Sequence, residues 1–402
     1  MPGKHTNVDP SGAGRLCKRC NALETSIVVR TEPLCKYVAV SELTTYRALL
    51  IGTRDCFTKY VHTKAIKRLE TFGVRHSEVG KPRKLLLPLS LGASSLSLLH
   101  IIDSHLQRQN DRTGRTGFKV HVLLVDTSEV EVNRPDPEAL QAVKDQYPKH
   151  TYSTVKLTNL FLDSDPSEEP VDEQLPEGDL AVARLAALMN AIPSATSRAD
   201  VLSTLLQRLT IRFATTHACE GILFGSSTTK LAEVVLSETA KGRGFAIPWL
   251  VSDGPTPFGI SFYYPLRELL KKELSAFTNM TDPMIAPLVH AEPLAKEQVI
   301  SSMKNTTIDF LMKQYFESVE ESYPSIVANA VRTAGKLQAP KAASKQRCKL
   351  CAMPVTEDLV GIHGWVGDQT EAVATEIEKG SYGLCYGCTR SIPEEAVTFL
   401  PD

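Results

Sequence analysis

The feature that most limits the fold of this chain is an alternation of short apolar runs and amphipathic stretches between about residues 82 and 300. The runs "RKLLLPLS" (83–90), "KVHVLLVDT" (119–127) and "GILFGS" (221–226) are nearly continuous, which is typical of strands buried on both faces of a parallel sheet. Stretches such as "SLSLLHIIDSHLQRQ" and "DLAVARLAALMNAI" between them carry apolar residues at helical spacing. The pattern predicts a doubly wound α/β domain.

Composition narrows the class of protein. The chain has 402 residues, of which 42% are hydrophobic, and its formal net charge is −1. These values favour a soluble globular protein whose contact with any polyanion depends on a local basic patch. No apolar run approaches the roughly 20 residues that span a bilayer, and the polar start lacks the apolar stretch of a signal peptide. We expect a cytoplasmic protein without a membrane contact.

The α/β region is flanked by segments of different composition. An acidic stretch inside it, 163–179, is predicted to be a solvated loop, because it contains eight Asp or Glu and no Lys or Arg. The predicted order along the chain is a disordered start (1–14), a cysteine-bearing basic module (15–80), the α/β domain (82–300), a helical segment (296–337), a linker (338–347) and a second cysteine module (348–402).

The turn after the first apolar run is a candidate anion site. In an open parallel sheet, ligands bind beyond the carboxyl ends of the strands, where helix N-termini present free N–H groups. The small residues of 90–95 allow close approach of a phosphate, and the hydroxyls of Ser94 and Ser95 can donate to it. Simple capping of the following helix explains the same serines equally well.

This turn resembles the PP-loop, S-G-G-x-D-S, of ATP pyrophosphatases. Ser90, Gly92 and Ser95 match, whereas Leu91 replaces a glycine and Ser94 replaces the aspartate. The resemblance implies an adenine nucleotide alpha hydrolase-like, Rossmann-like parallel sheet. The spacing of the cysteines, described below, predicts small zinc-binding modules that flank this sheet.

A second segment, "FGSSTTKLAEVVLSETAKGRG", resembles the motif G-H-N-x-D-D-x-A-E-T of the same superfamily. Gly225, Ala232 and Glu233 match, but Thr229 and Lys230 stand in place of the two aspartates. Carboxylates hold the Mg²⁺ that adenylation needs, so ATP and Mg²⁺ chemistry is expected to be weak or absent. The resemblance therefore implies no catalytic residue and a vestigial nucleotide site formed by Ser90, Gly92, Ser94, Ser95 and Lys230.

Eight of the nine cysteines lie near the two ends of the chain. Cys348-x-x-Cys351 and Cys385-x-x-Cys388 have the spacing of two knuckles that bind one structural Zn²⁺ through four thiolates, with a redox pair as the alternative. The ninth, Cys219, is predicted to be a small core residue rather than a reactive thiol.

The N-terminal set is less regular. Cys17-x-x-Cys20 is a knuckle, but its partners Cys35 and Cys56 lie further apart. Deleting 36–53 would restore a second Cys-x-x-Cys, so this segment is interpreted as a retained intron or a lineage-specific insertion. We expect the four thiols to meet in space in either case, again around zinc.

A basic stretch follows this module. Residues 54–84 contain nine Lys or Arg against three Asp or Glu, with aromatic residues between them. Such a stretch is typical of an RNA-backbone contact, although a charged helix face is often simply solvated. Lys59, Lys64, Lys67 and Arg68 are the candidate RNA-binding residues.

The cysteine motifs, together with "CKRCNALETSIVVRTEPLC" and "DCFTKYVHTKAIKRL", resemble the cytoplasmic tRNA 2-thiolation protein 2 family over nearly the whole length. The resemblance implies a catalytically degenerate subunit that forms a heterodimer with the catalytic tRNA thiolation subunit. That complex makes 2-thiolated wobble uridine (mcm5s2U) in tRNA, with a thiocarboxylated ubiquitin-related modifier as sulfur donor. Two alternatives stay open: an independent ATP-dependent tRNA-modifying enzyme, and a zinc-binding RNA adaptor outside thiolation.

Overall fold

The computed structural model describes most of the chain. The described residues are 16–21, 27–30, 32–35, 55–78, 80, 83–130, 137–162, 177–290, 306–339, 346–355 and 383–401. Several predictions fall wholly or largely outside them: the start (1–14), the insertion (36–53), the acidic loop (163–179) and most of the linker (338–347).

The predicted α/β architecture is confirmed. A six-stranded sheet has the order β5 (Thr151–Lys156), β4 (Phe118–Asp126), β3 (Arg83–Pro88), β6 (Gly221–Leu223), β8 (Ser261–Tyr263) and β7 (Gly254–Pro255). All neighbouring pairs are parallel except β7 with β8. Leu85 on the central strand β3 pairs with Val120 on one side and with Gly221 on the other. The run Leu85–Leu87 is fully buried because both faces of this strand are covered, which explains its continuous apolar sequence.

The helices and strands have the following bounds in chain order: β1 (Ile27–Val29), β2 (Glu32–Leu34), α1 (Cys56–Lys67), β3 (Arg83–Pro88), α2 (Ala93–Thr113), β4 (Phe118–Asp126), α3 (Pro137–Gln146), β5 (Thr151–Lys156), α4 (Glu177–Ala191), α5 (Ala195–Thr216), β6 (Gly221–Leu223), α6 (Thr228–Ala240), α7 (Ile247–Leu250), β7 (Gly254–Pro255), β8 (Ser261–Tyr263), α8 (Lys271–Met280), α9 (Ile308–Ser322), α10 (Pro324–Ala334) and α11 (Tyr386–Ser391). Short 3-10 turns join several of them.

The helices form two layers, one on each face of the sheet. The chain moves in one direction from β3 to β5 and in the other from β5 through β6 to β8, so right-handed crossovers place α2 and α3 on one face and α4, α5 and α6 on the other. The first layer is extended by α1 and α8, which pack on α2, and the second by α9 and α10, which pack on α6. Among the described residues no helix is long and apolar enough to cross a membrane.

Each cysteine module is part of a different core. Cys17, Cys35 and Cys56 share a buried cluster with Leu96 of α2 and Phe277 of α8. The C-terminal cysteines share another cluster with residues of α4 and α5 on the opposite face. The two modules therefore lie on opposite sides of the sheet.

One helix begins later than its sequence pattern predicts. The helical spacing of Leu266, Leu269, Leu270 and Leu274, with Pro265 near the start, predicts a helix from Pro265, but α8 begins only at Lys271. Residues before it form turns, in which the N–H groups of residues 267 and 269 bond three residues back. The apolar spacing is nevertheless satisfied, because these leucines are all fully buried.

Candidate metal centres, nucleotide turn and basic helix

The four C-terminal cysteines converge on one point. The sulfur atoms of Cys348, Cys351, Cys385 and Cys388 all lie within 4.8 Å of one another. The Sγ atoms of Cys351 and Cys385 are 3.9 Å apart, and the backbone N–H of Cys385 donates to Sγ of Cys348 at 3.3 Å. This is the predicted pair of knuckles.

The four N-terminal cysteines converge in the same way, although the intervals between them are irregular. The Sγ atoms of Cys17, Cys20, Cys35 and Cys56 also lie within 4.8 Å of one another, with 3.6 Å between Cys20 and Cys35. Cys35 directly follows β2 of the hairpin β1–β2, while Cys56 begins α1. The backbone N–H of Phe57 donates to the carbonyl of Cys35, which brings the two segments together.

These distances fit a four-thiolate metal site. Ligands about 2.3 Å from a tetrahedral ion are about 3.8 Å from one another, and the observed separations of 3.6 and 3.9 Å bracket this value. They are far longer than the roughly 2.05 Å of a disulfide bond. Both groups can therefore hold a metal ion, and all four positions around it would be filled by sulfur.

The thiols within each group affect one another's ionisation. Burial raises the pKa of Cys17, but backbone donors from Cys20 and Arg19 outweigh this effect and bring the pKa down to about 6. Burial raises the pKa of Cys56 to about 11. In the C-terminal group, S–H donors from Cys351 and its neighbours hold the pKa of Cys348 well below its ordinary value. Each group thus stabilises a first thiolate, and a bound cation would be needed to stabilise four.

The C-terminal module is docked on α5 and α6 by a buried ionic network. The Asp200 carboxylate accepts hydrogen bonds from both Nη atoms of Arg243, with 2.8 Å to Nη1, and from the hydroxyl of Ser391. Arg243 also pairs with Glu238 at 2.7 Å, and Lys241 lies 3.0 Å from Asp200. These cations hold the pKa of Asp200 well below its usual range, although burial alone would raise it.

Close backbone contacts accompany this network. Added to Gly387, a Cβ atom would lie 2.6 Å from the carbonyl oxygen of Lys241, and on Gly242 it would lie 2.5 Å from the ring of Tyr386. Only glycine allows this approach of the two chain segments.

The Ser90–Ser95 turn connects β3 to α2, and the hydroxyls of Ser90 and Ser95 are bonded within it. Leu91 adopts φ +56°, a left-handed conformation that glycine would favour, while its side chain is fully buried. Gly92 is the N-cap of α2. The hydroxyls of Ser90 and Ser95 are 3.1 Å apart, and Ser95 also donates to the carbonyl of Gly92.

The second motif meets the first at the carboxyl ends of β3 and β6. An added Cβ at Gly225 would lie 2.8 Å from Cα of Ser95, so the two segments are in direct contact. Ser227, which stands for the motif's asparagine, caps α6 by accepting from the N–H of Lys230 at 3.1 Å.

Thr229 and Lys230, which stand in place of the two aspartates of the motif, both bond to other side chains of this chain. Thr229 is fully buried, and its hydroxyl donates to the carboxylate of Glu320 on α9 while it accepts from the N–H of Lys271 at 3.0 Å. Lys230 pairs with Glu233 at 3.0 Å. Within the described ranges, the groups of three or more His, Cys, Asp or Glu close enough to share a metal ion are the two sets of four cysteines.

A cavity of about 300 Å³ lies between the central domain and the C-terminal module. Its lining includes Ser226 after β6, Phe224, Tyr264 and Cys351. Arg243 also lines it, but its charge is already balanced by Asp200 and Glu238. The remaining cysteine, Cys219, is buried beside β6, and burial raises the pKa of its thiol.

The four predicted RNA-binding residues lie on and just after α1 but are not equivalent. Lys64 pairs with Glu268 at 2.6 Å, and Arg68 pairs with both Asp253 and Glu268. Lys59 and Lys67 are exposed and form no ion pair within the described part of the chain. Sequence reasoning missed Arg108 and Arg112 of α2, which line a cavity together with Lys67.

Comparison with known proteins gives the following similarities. A family model described as cytoplasmic tRNA 2-thiolation protein 2 matches residues 307–390. Curated proteins with this name are 46% identical in Phaeosphaeria nodorum, over 98% of each chain, and 36% identical in Aspergillus clavatus, over 98% of this chain and 99% of the relative. A solved structure of the U34-tRNA thiolase NcsA from Methanococcus maripaludis, with its [4Fe-4S] cluster, is 16% identical and covers 80% of this chain and 93% of that one, with a TM-score of 0.45.

Proposed function

This chain belongs to the cytoplasmic tRNA 2-thiolation protein 2 family, and from that premise we propose that it is a subunit required for 2-thiolation of the wobble uridine (mcm5s2U) in cytosolic tRNAs. The identity of 46% over 98% of both chains supports this role, as does the cytoplasmic location that the relatives' name carries. In this proposal the chain acts as a catalytically degenerate partner and not as the thiolating enzyme itself.

The observation that carries the degenerate role is the bonding of Thr229. Its hydroxyl donates to the Glu320 carboxylate and accepts from the Lys271 N–H. The PP-loop resemblance places a metal-binding carboxylate at this position. The hydroxyl is neutral and already bonded on both sides, so this position supplies no carboxylate ligand for Mg²⁺. Ser90, Gly92, Ser94, Ser95 and Lys230 are accordingly proposed as a vestigial nucleotide site.

We assign zinc to both cysteine groups. Four buried or half-buried thiolates with tetrahedral spacing suit Zn²⁺ in a closed structural site, since no coordination position is left for a substrate. The N-terminal ion would join the hairpin β1–β2 to α1, and the C-terminal ion would join the two knuckles. Binding of a structural zinc typically contributes roughly 10–16 kcal/mol to folding of a small module.

The proposed partners follow from the same premise. They are the catalytic tRNA thiolation subunit, with which this chain forms a heterodimer, and tRNA itself. The sulfur donor to the complex is a thiocarboxylated ubiquitin-related modifier. Lys59 and Lys67 are the better RNA candidates of the four, because Lys64 and Arg68 already face carboxylates.

The test combines purified chains with a cellular deletion. ATP–pyrophosphate exchange with Mg²⁺ and tRNA is measured on this chain alone, on the catalytic subunit alone and on the mixture. We expect exchange only where the catalytic subunit is present. Robust exchange by this chain alone would establish the independent enzyme instead.

Deletion of the gene is expected to abolish 2-thiouridine in cytosolic tRNA, as measured by mass spectrometry of nucleosides. Retention of wild-type 2-thiouridine would contradict a thiolation role and favour the RNA adaptor. Re-expression of the intact chain provides the control.

A further inference from the structure

A groove between α1 and α2 collects positive charge. It has a volume of about 390 Å³, and we call it the α1–α2 groove. Its charged and titratable lining residues are His62, Lys67, Glu70, His105, Arg108 and Arg112. Three of these side chains carry a full positive charge at neutral pH, whereas Glu70 is the one carboxylate among the described lining residues.

The basic residues of α2 share one face of the helix. His105, Arg108 and Arg112 are spaced by three and four residues, which places them in line along the groove. Arg108 is held in place by two bonds: its Nε donates to the carbonyl of Ser104 at 3.0 Å, and its Nη2 lies 3.0 Å from Nδ1 of His62. The guanidinium is thus oriented before any ligand arrives.

His62 positions Arg108 without neutralising it. Burial lowers the pKa of His62 to about 3, and the charge of Arg108 contributes to this shift. The ring is therefore neutral at physiological pH, and its Nδ1 accepts the hydrogen bond from Arg108. Burial and the nearby Arg112 lower the pKa of Arg108, although a guanidinium remains charged at neutral pH.

The basic residues on the other face of α1 are paired with carboxylates. Lys64 and Arg68 point toward Glu268 and Asp253, which neutralise them. Lys67, Arg108 and Arg112 form no ion pair within the part of the chain that the structure describes. Unpaired cations gathered in a concave surface attract an anion.

We propose that the α1–α2 groove binds the phosphate backbone of tRNA, with Arg108, Arg112 and Lys67 as the phosphate ligands. This inference rests on the proposed function and names the surface through which the chain contacts tRNA. Arginine donates two parallel hydrogen bonds to a phosphate, so the neighbouring guanidinium groups suit successive phosphodiesters. An acidic protein is the less suitable ligand, because Ile66 is the one apolar side chain described in the lining and protein interfaces need an apolar core.

The test measures the affinity of the full-length chain for unmodified transcribed tRNA by fluorescence anisotropy from 50 to 200 mM salt. The variant Arg108→Gln/Arg112→Gln is expected to bind about tenfold more weakly at moderate salt. Its slope of log affinity against log salt should be smaller in magnitude by about 1.5, since two fewer counterions are released.

A matched control is available on the opposite layer. Arg332 and Lys336 have the same spacing of four residues and are exposed at the end of α10. Arg332→Gln/Lys336→Gln removes the same charge and should leave the affinity unchanged. Glu70→Gln removes the groove's carboxylate and should tighten binding, a gain that a folding defect cannot produce.

The outcomes separate this inference from the proposed function. If the wild-type chain binds tRNA and the Arg108→Gln/Arg112→Gln variant binds equally well, the groove is not the RNA surface. If both double variants weaken binding alike, the effect is one of overall charge and the site is likewise rejected. Loss of 2-thiouridine on deletion, tested separately, would still support the thiolation role in either case. Should the variant keep its affinity for tRNA and lose that for the ubiquitin-related modifier, the groove would be a protein site instead.

Discussion

Asp200 of α5 accepts a hydrogen bond of 2.7 Å from the hydroxyl of Ser391, 191 residues later in the chain. The same carboxylate is held by Arg243, whose Nη1 lies 3.9 Å from Sγ of Cys388. One buried carboxylate therefore links the central domain to the segment that carries the metal ligand Cys388. We therefore expect metal binding to strengthen the docking of the C-terminal module.

Gly387→Ala should undo this docking. Its Cβ would lie 2.6 Å from the carbonyl oxygen of Lys241, a backbone atom that cannot move alone, so we expect a loss of about 1–3 kcal/mol in the free energy of unfolding. Chemical denaturation measures the loss, and limited proteolysis detects release of the module. Gly244→Ala is the control, because its Cβ meets nothing within 4 Å. Equal behaviour of the two variants would contradict a tight interface.

The metal content should be two ions per chain. Native mass spectrometry of Cys348→Ser should show one ion, because three remaining thiolates bind far more weakly than four. Cys219→Ser should retain two, since Cys219 belongs to neither group. A single ion in the wild-type chain would mean that one of the two groups is not a metal site.

Thr229→Val should destabilise the fold by about 2 kcal/mol, because the Glu320 carboxylate and the Lys271 N–H both lose a buried partner. Thr239→Val on the same helix is the control and should cost less than about 0.5 kcal/mol, since its exposed hydroxyl bonds only to the carbonyl of Val235. Unfolding in urea measures both.

Thr229→Asp should destabilise the fold more than Thr229→Val does. In Thr229→Asp two carboxylates face each other in a buried site, so the unfolding free energy should fall further than in Thr229→Val. Adding Glu320→Gln should recover part of that loss. Were the double variant no better than Thr229→Asp, charge repulsion would not be the reason for the lost aspartate.

His62→Gln should reduce the pH dependence of stability. The folded-state pKa of His62 is about 3, below the roughly 6.5 of an unfolded chain, so the unfolded state gains a proton first as pH falls. The wild-type unfolding free energy should therefore decrease from pH 6.5 toward pH 3 by up to about 1.4 kcal/mol per pH unit from this group. Glutamine keeps an acceptor for Arg108 but does not titrate. Parallel stability curves for the two proteins would show that folding does not shift the pKa of His62.

The sequence predicts the buried centre of the fold well and its edges poorly. The run at Leu85 indicates a strand because both faces of β3 are covered. Strand β5 (Thr151–Lys156) has no such signal, since it lies at the edge of the sheet and is half-exposed. The leucines before Lys271 have helical spacing yet lie in turns, because burial and not local periodicity fixes them.

Functional residues can be predicted from the sequence where neighbouring residues form a motif. They cannot be predicted where the deciding partner is distant in the chain. The Cys-x-x-Cys knuckles are local signals. Lys64 is an RNA candidate by sequence, but its partner Glu268 lies 204 residues away. Arg108 belongs to a helix whose pattern indicates only packing, and it lines a groove because α1 lies beside it.

The placement of the two cysteine modules on opposite sides of the sheet has a practical consequence. If both sites accept Co²⁺ in place of zinc, the chain carries two paramagnetic centres whose separation is set by the thickness of the domain. Electron paramagnetic resonance can then measure one intramolecular distance that lengthens whenever either module detaches, without any added label.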